Sequence, residues 1–393
     1  MFHQLVSHNP DLRRLLERGY ALAIDGGYLV VRDIPYLDES KALQVGAFVT
    51  TLQFVDKTRV VQADHQVFFA GGVPHGMDGR PIPNLGGGPC SLSLSEASRD
   101  VGVQRSFSNK PLHSGKFDDF FAKIESYTAI ISGPAIALHD ATPYTFKATA
   151  DVVRPDSAFL FHDTLTSRAA IGDLSCKLTN DVIAIIGLGG TGAYVLDFLA
   201  KTPVKEIRLF DFDVFHVHNA FRSPGRLDES DLSKPKVEVY RARYETFRTG
   251  VSSFPVYVNA SSAEQLGGVT FAFVCVDKGA ARAGIFELLL GLQIPFIDVG
   301  MGLKRKDEAL GGMIRTTYYS ASEGTHTKER QLAPLADAPD EEYRVNIQIA
   351  ELNAMNACLA VIRFKQLRGF YRAVDPYYHS VFELDDTKIV TEC

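Results

Sequence analysis

Two patterns of apolar and polar positions divide the chain. Near the start, HNPDLRRLLER (8–18) places Leu12, Leu15 and Leu16 on one face of a short helix, with Asn9 as N-cap, Pro10 in the first turn and Gly19 as the stop. From about 20 to 110 short apolar runs (YALAIDGGYLVV, VGAFVTTLQFV, RVVQADHQVFFA) are separated by Gly, Pro and Asp, which predicts a β-rich α+β domain. GGVPHGMDGRPIPNLGGGP within it predicts a long loop, since its residues fix φ or allow positive values, and loops of that length often bind something. FDDFFAKIESYTAIISGPAIALH (117–139) predicts an amphipathic helix ending near Ser132-Gly133-Pro134. The stretch 140–160, with Pro143 and Pro155, is the expected boundary between a first domain at 1–160 and a second at 161–393.

From 181 the period changes. DVIAIIGLGGTGAYVLDFLAKTPVKEIRLFDFD reads as a βαβ unit: a buried apolar strand, a tight turn, a helix with Val195, Phe198 and Leu199 inward, and a second strand ending in acid. FPVYVNA, VTFAFVCVD and IPFIDVGMG supply further strands, so the expected class is α/β, a Rossmann-like doubly wound domain with an open, largely parallel sheet.

Composition narrows the setting. A chain of 393 residues favours two domains, and 46% hydrophobic with 22% charged residues is a soluble, globular balance. There is no signal-like start and no window of about 18 apolar residues, so a cytoplasmic protein without a membrane partner is expected. The net charge of −6, with Lys and Arg scattered, argues against nucleic acid. Cysteines 90, 176, 275, 358 and 393 form no C-x-x-C pair, against a zinc ribbon or a disulfide framework.

The candidate chemistry sits in the second half. Gly187, Gly189, Gly190 and Gly192 fit a G-x-G-x-x-G turn between strand and helix, where backbone N–H groups can cradle phosphates, and Asp211 ends the next strand where a carboxylate can meet a ribose hydroxyl. These residues alone fit a nicotinamide dehydrogenase equally well. DFDVFHVHNAFRSPGRL then adds Asp213, Asn219 and Arg222, and Lys236 follows. Cations of this kind neutralise a departing pyrophosphate, and Asp277, after the strand VTFAFVCVD, stands where a hard-oxygen ligand for Mg²⁺ is needed. Hydride transfer needs neither.

In these motifs the chain resembles the ThiF/MoeB/ubiquitin-activating superfamily, over roughly residues 162–372. Gly187, Gly189, Gly190 and Gly192 match its glycine turn, Asp211 its ribose aspartate, Asn219 and Arg222 its phosphate-contacting pair, Lys236 its lysine, and Asp277 its magnesium aspartate, with Arg282 after it. The resemblance implies ATP and Mg²⁺, adenylation of the C-terminal carboxylate of a ubiquitin-like protein, a homodimer, and a conjugating-enzyme-like partner. It also implies that Arg168 reaches the partner subunit's ATP site. Three departures stand out. Ser223 replaces the usual Gln, Lys278 replaces the usual Asn, and the expected crossover loop (about 318–345, including MIRTTYYSASEGTHTKERQ) has no cysteine for a thioester. Either the enzyme stops at the acyl-adenylate, a distant cysteine folds over, or a hydroxyl of Ser320, Ser322, Thr325 or Thr327 accepts the acyl group, with His326 the nearby base. The N-terminal half resembles a β-rich domain fused to such enzymes in bacterial operons for ubiquitin-like conjugation, a setting connected with antiphage defence.

Other readings stay open. A sulfur carrier or a small-molecule carboxylate could be the substrate, and a nucleotide-binding scaffold or an oxidoreductase would be of another class. Asn219 and Asp277 could each simply cap a helix. Cys275 and Cys358 read as core residues, Cys90 as a loop thiol, and His65, His75, Asp64 and Asp78 as surface polar groups matching no metal spacing.

Overall fold

The computed structural model describes residues 2–111, 115–147, 157–161, 163–336 and 347–393. The chain packs as two compact units, Met1–Cys176 and Lys177–Cys393.

In the first unit α1 (Phe2–His8) precedes α2 (Pro10–Arg18), and Gly19 ends α2 with φ 113°. Asn9 holds the expected N-cap position but does not cap. Its amide donates to the carbonyls of Leu5 (2.7 Å) and Thr58 (2.8 Å), and its side-chain oxygen accepts from the Val60 N–H (3.0 Å), so it ties the helices to the sheet. That sheet is antiparallel, built from β1 (Ala21–Asp25), β2 (Tyr28–Leu37), β3 (Leu43–Phe54), β4 (Val60–Gln62), β5 (Val67–Ala70), β6 (Gly88–Pro89) and β7 (Arg105–Phe107). Its order is β1-β2-β3-β5-β7-β6, with β4 on β3. The helix α3 (Phe120–His139) packs Phe120, Ile124, Tyr127 and Ile131 against Leu29, Phe48 and Phe69 of the sheet. It does not stop at Ser132-Gly133-Pro134 as the sequence suggests. The buried stripe continues through Ala135, and this packing outweighs the one backbone bond that Pro134 cannot make. The short helices α4 (Thr164–Ala169) and α5 (Gly172–Cys176) complete the unit. Of the expected boundary stretch, residues 148–156, Pro155 among them, lie outside the described residues.

The second unit opens with β8 (Val182–Ile186), α6 (Gly190–Ala200), β9 (Glu206–Phe210), α7 (Val217–Ala220), α8 (Lys236–Tyr244) and β10 (Val251–Phe254). It continues through β11 (Phe271–Val274), α9 (Gly279–Gly291), β12 (Phe296–Lys306), β13 (Ala309–Tyr319), α10 (Gly324–Glu329), α11 (Ala350–Leu367), β14 (His379–Glu383) and β15 (Lys388–Glu392). The eight strands lie in the order β10-β9-β8-β11-β12-β13-β14-β15, parallel from β10 to β12 and antiparallel beyond. Helices cover both faces: Leu196, Val237 and Phe364 from α6, α8 and α11 on one, Ile285, Phe286 and Leu289 of α9 on the other. Chain order reverses at β8, flanked by β9 and β11, which opens a crevice at the strands' C-terminal ends.

Two segments differ from the sequence reading. Of FPVYVNA only Phe254 lies in a strand, because β10 ends there, just before Pro255. MIRTTYY belongs to β13, which pairs with β12 over eleven positions, and Arg and Thr at its buried face disguised the strand. The expected crossover loop therefore begins after Tyr319, and its residues 337–346 lie outside the described residues. Among the described residues no helix is long and apolar enough to cross a membrane.

The first unit buries Lys123 completely. Its ammonium donates to Thr50 Oγ1 and to the Asp64 carbonyl, both at 2.7 Å, and burial pulls its pKa down to about 8. A lysine whose folded pKa lies below its unfolded value costs stability below the folded pKa, and that cost is relieved as pH rises toward the unfolded one. Denaturant titrations at pH 8 and pH 9.5 should show the wild type gaining about 1.5 kcal/mol relative to Lys123→Met. An equal response of the two proteins would show that Lys123 does not set this dependence.

Candidate functional site

The crevice is shaped by glycines that serve different purposes. After β8, Gly187 takes φ +92°, and a Cβ there would lie 2.8 Å from the Cys275 carbonyl oxygen. A Cβ on Gly192 would strike the Gly187 carbonyl, and one on Gly190 would strike the Asn353 amide. Those three positions are fixed by packing. Gly189, the N-cap of α6, has nothing within 4 Å of its Cβ position, so the open space of the turn lies there, at a helix N-terminus.

Across the turn, Asp211 follows β9. Its carboxylate accepts the Leu188 N–H (2.6 Å) and the Asp213 N–H (2.8 Å), which joins the glycine turn to the loop after β9. Burial raises its pKa, opposed by the Lys236 ammonium and by these two donors. Lys236 begins α8 and donates to Asp213 Oδ2 at 2.7 Å, with Asp211 Oδ1 at 3.8 Å, so two carboxylates already balance it. Arg222 is different: among the described residues its buried Nε has no hydrogen-bond partner. Asn219 is buried in a capping box, its side-chain oxygen accepting the His216 N–H at 2.8 Å, and its contacts are those of a cap.

Asn353, which the sequence reading missed, holds these pieces together. From α11 its Oδ1 accepts the Thr191 hydroxyl (2.8 Å) and its Nδ2 donates to the Arg222 carbonyl (3.3 Å). It is fully buried and 162 residues from Thr191, so no local pattern could have shown it.

Beyond β11, Asp277 is exposed at the cavity. The N-cap of α9 is Lys278, so capping does not consume the Asp277 carboxylate, and among the described residues nothing pairs with it. Behind it lies a buried ionic triad. Asp298 on β12 accepts from Arg282 Nε (3.0 Å) and from Arg315 Nη2 (2.6 Å). Arg282 also donates to the carbonyls of Val276 and Pro334, and Arg315 donates to Thr317 Oγ1 (3.0 Å). Arg282 stood in the sequence pattern. Asp298 and Arg315 did not, although an acid inside the apolar strand IPFIDVG signals a buried partner.

One cavity of about 940 Å³ gathers Gly187, Gly189, Gly190, Asp211, Asp213, Arg222, Lys236 and Asp277, together with Asn353, Arg282 and Arg315. Gly192 and Asn219 lie outside its lining. So do the hydroxyl candidates: Ser322 and Thr325 are exposed at α10, and Thr327 is buried with its hydroxyl donating to the Glu323 carbonyl. Arg168 is exposed on α4 in the first unit, over the Phe146 ring at 4.8 Å. Cys275 lines the cavity, but burial pushes its thiol pKa up; Cys358 is also raised. In the first unit His65 bonds Ser108 Oγ and His75 the Val73 carbonyl, each at 2.8 Å. Among the described residues no three His, Cys, Asp or Glu side chains converge as for a metal. A lone carboxylate suits Mg²⁺, which takes one or two protein ligands and completes its shell with phosphates and water. The partnerless Arg222 Nε and the open Gly189 suit a polyphosphate equally.

A glycine turn, a helix N-terminus, cations and a free carboxylate at the reversal point of a doubly wound sheet define a nucleotide-binding α/β domain. The chain belongs to the ThiF family, which residues 165–362 match, while residues 10–164 match a domain of unknown function, DUF6791. Among curated relatives, ubiquitin-like modifier-activating enzyme 5 of Culex quinquefasciatus is 27% identical over 148 residues, 34% of this chain and 36% of that protein. The tRNA threonylcarbamoyladenosine dehydratase of Escherichia coli K12 is 25% identical over 166 residues, 41% of this chain and 59% of that protein. The chain thus spans about a third to three fifths of the length of these relatives. Among solved structures, E. coli MccB aligns with a TM-score of 0.44 and 17% identity over 58% of this chain and 69% of that one. PaaA aligns at 0.43 and 20%, over 56% and 74%.

The triad gives a stability test. Asp298→Asn would leave two guanidinium groups without their shared buried counter-charge, and denaturant unfolding of the second unit should lose about 3–5 kcal/mol. A loss below about 1 kcal/mol would show that the site relaxes without Asp298.

Proposed function

We propose that the chain is an ATP-dependent adenylyltransferase that activates the C-terminal carboxylate of a ubiquitin-like protein. The observation that carries this reading is the pairing, in one cavity, of a cation with an unmet buried donor (Arg222) and an unconsumed carboxylate (Asp277), on either side of an open helix N-terminus. A carboxylate oxygen of the substrate attacks the α-phosphorus, the bond from that phosphorus to the bridging oxygen breaks, and pyrophosphate leaves with an acyl-adenylate formed. Arg222 and Lys236 face the charge that moves onto pyrophosphate, and Asp211 takes the ribose. Lys236 can turn to a phosphate only by loosening its contact with Asp213, whereas Arg222 gains a partner outright. Asp277 would hold Mg²⁺, which would supply further charge neutralisation.

In this reading the enzyme works as a homodimer with Arg168 serving the partner's site, and hands its product toward a conjugating-enzyme-like protein in a bacterial pathway connected with defence against phage. Support for the substrate class comes from relatives named as ubiquitin-like modifier-activating enzymes. The second reading, adenylation of a different acceptor, draws on the relatives named as tRNA threonylcarbamoyladenosine dehydratases.

ATP–pyrophosphate exchange tests the reaction. With a cognate ubiquitin-like protein the wild type should exchange, and Asp277→Ala and Arg222→Ala should each lower the rate about 10²–10³-fold. Exchange that needs no protein partner would favour a small carboxylate, and ATP binding without any exchange would favour a scaffold.

A further inference from the structure

A row of polar side chains crosses the antiparallel half of the second unit's sheet. Asp298 on β12 lies opposite Thr317 on β13, Thr317 opposite His379 on β14, and His379 opposite Glu392 on β15. Directly opposite residues put their side chains on the same face, so the four stand side by side. Glu392 in turn meets Arg330, just after α10, and accepts from the Tyr378 hydroxyl, each at 3.2 Å. Asp298, Thr317 and His379 are buried. Burying such a row costs free energy unless its members are bonded, which makes the direction of each bond decisive.

Those directions place the protons. Arg315 can only donate, and its Nη1 donates to Thr317 Oγ1 at 3.0 Å. Thr317 Oγ1 also lies 2.9 Å from His379 Nδ1. The hydroxyl has one hydrogen, and among the described residues Thr317 Oγ1 has no other partner, so that hydrogen points to Nδ1. Neutral His379 therefore accepts at Nδ1 and carries its own hydrogen on Nε2.

A proton added at Nδ1 reverses this bond. Nδ1–H must then donate to Thr317 Oγ1, the hydroxyl hydrogen loses its acceptor, and a second cation competes for the oxygen that holds Arg315. The groups facing the ring are Arg315 from β13, Glu392 from β15 and Arg330 from the segment after α10; Glu392 also carries the Tyr378 hydroxyl, and Asp298 stands on β12 beyond Thr317. Burial and Arg315 oppose the charged ring, Glu392 favours it and Arg330 opposes it, and the net direction is a pKa below the ordinary histidine value. The ring is neutral at neutral pH and gains its proton on the acid side.

We infer that His379 is a positioning residue of the nucleotide cavity: through Thr317 it holds Arg315 in the cavity wall while the ring is neutral, and it loosens Arg315 when the ring is protonated. Arg315 lines the cavity, and its Nη2 donates to Asp298, which it shares with Arg282. Arg282 fixes the Val276 carbonyl next to Asp277. A shift of Arg315 is thus felt twice, as a displaced cation and, through the triad, at the loop that carries the Asp277 carboxylate. His379 lies outside the lining, so its effect on a ligand passes through Thr317 and Arg315. The inference rests on the adenylation reading only as far as that reading assigns MgATP to the cavity.

The test measures the MgATP affinity of the full chain by calorimetry at pH 7.5 and pH 5.0 for wild type, His379→Asn and Thr317→Val. The Asn carboxamide oxygen replaces Nδ1 as an acceptor and cannot be charged. His379→Asn should match wild type at pH 7.5, and wild type should weaken about threefold to tenfold more than His379→Asn on going to pH 5.0. Thr317→Val should bind about threefold to tenfold more weakly than wild type at pH 7.5 and share the shallower pH response of His379→Asn, because no oxygen then links ring and guanidinium. Nitrogen NMR of the wild-type ring, assigned by the signals missing from His379→Asn, should show the neutral form with its hydrogen on Nε2. Equal pH responses of wild type and His379→Asn, or a neutral ring with its hydrogen on Nδ1, would overturn the inference while leaving nucleotide binding in place. No MgATP binding by the wild type at pH 7.5 would bring down the nucleotide reading and the inference together.

Discussion

The second unit's chemistry hangs on one buried carboxylate. Asp298 is inaccessible to solvent and is shared by Arg282 and Arg315, which gives the triad a net positive charge. Two guanidinium groups around one acid can be buried only if their remaining donors are met, and they are met by backbone carbonyls at Arg282 and by the Thr317 hydroxyl at Arg315. Arg282 fixes the Val276 carbonyl one residue before Asp277 and the Pro334 carbonyl in the segment after α10, while Arg315 is held against β13 by Thr317. The contacts that satisfy the triad thus set the loop that presents Asp277, the segment after α10 at Pro334, and the place of Arg315 in the cavity wall. Such a triad adds little net stability over apolar packing of the same volume. What it supplies is position.

A second division of labour runs along the cavity. Lys236 is neutralised by Asp211 and Asp213 before any ligand arrives, so it contributes less to a phosphate's first capture than its charge suggests. Arg222 carries its charge with a buried donor unmet, a cost that a phosphate oxygen repays. Asn353 fixes the Arg222 backbone to the helix whose N-terminus opens at Gly189, so the cation and the helix dipole converge on one space. The raised pKa of Asp211 reflects its burial, and the Lys236 ammonium and two backbone N–H groups work to keep it ionised.

The sequence made the parallel half of the sheet legible because each strand there is a continuous apolar run followed by glycine or acid, as in IAIIGLGG and RLFDFD. Eight of the candidate positions, from Gly187 to Asp277, fall in the one cavity for the same reason: the motif follows the chain. Three kinds of feature were hidden. β13 carries Arg315, Thr316 and Thr317 where an apolar alternation would announce a strand, because those residues serve the triad and its surroundings. Asn353 acts across more than a hundred residues, and Asp298 joins partners on two different elements, 16 residues before it and 17 after. Pro134 looked like a helix stop because the stripe that carries α3 past it is a tertiary contact, not a propensity. Asn9 and Asn219 show the converse: Asn9 stands where a cap was expected and reaches across to the sheet, while Asn219, read as a phosphate contact with capping as the alternative, makes the contacts of a cap.

The cavity also limits what could follow the proposed adenylation. An acyl-adenylate is consumed by a nucleophile, and the one thiol in the lining, Cys275, has its pKa raised by burial beside the Asp298 carboxylate. A buried thiol of that kind presents almost no thiolate at neutral pH. Thr327 is committed to a helix carbonyl, and the exposed hydroxyls of Ser322 and Thr325 stand away from the lining with His326 exposed beside them. A hydroxyl without an engaged base is a poor acceptor at neutral pH. Under the adenylation proposed above, the described lining offers side chains for making a mixed anhydride and no ready nucleophile to resolve it.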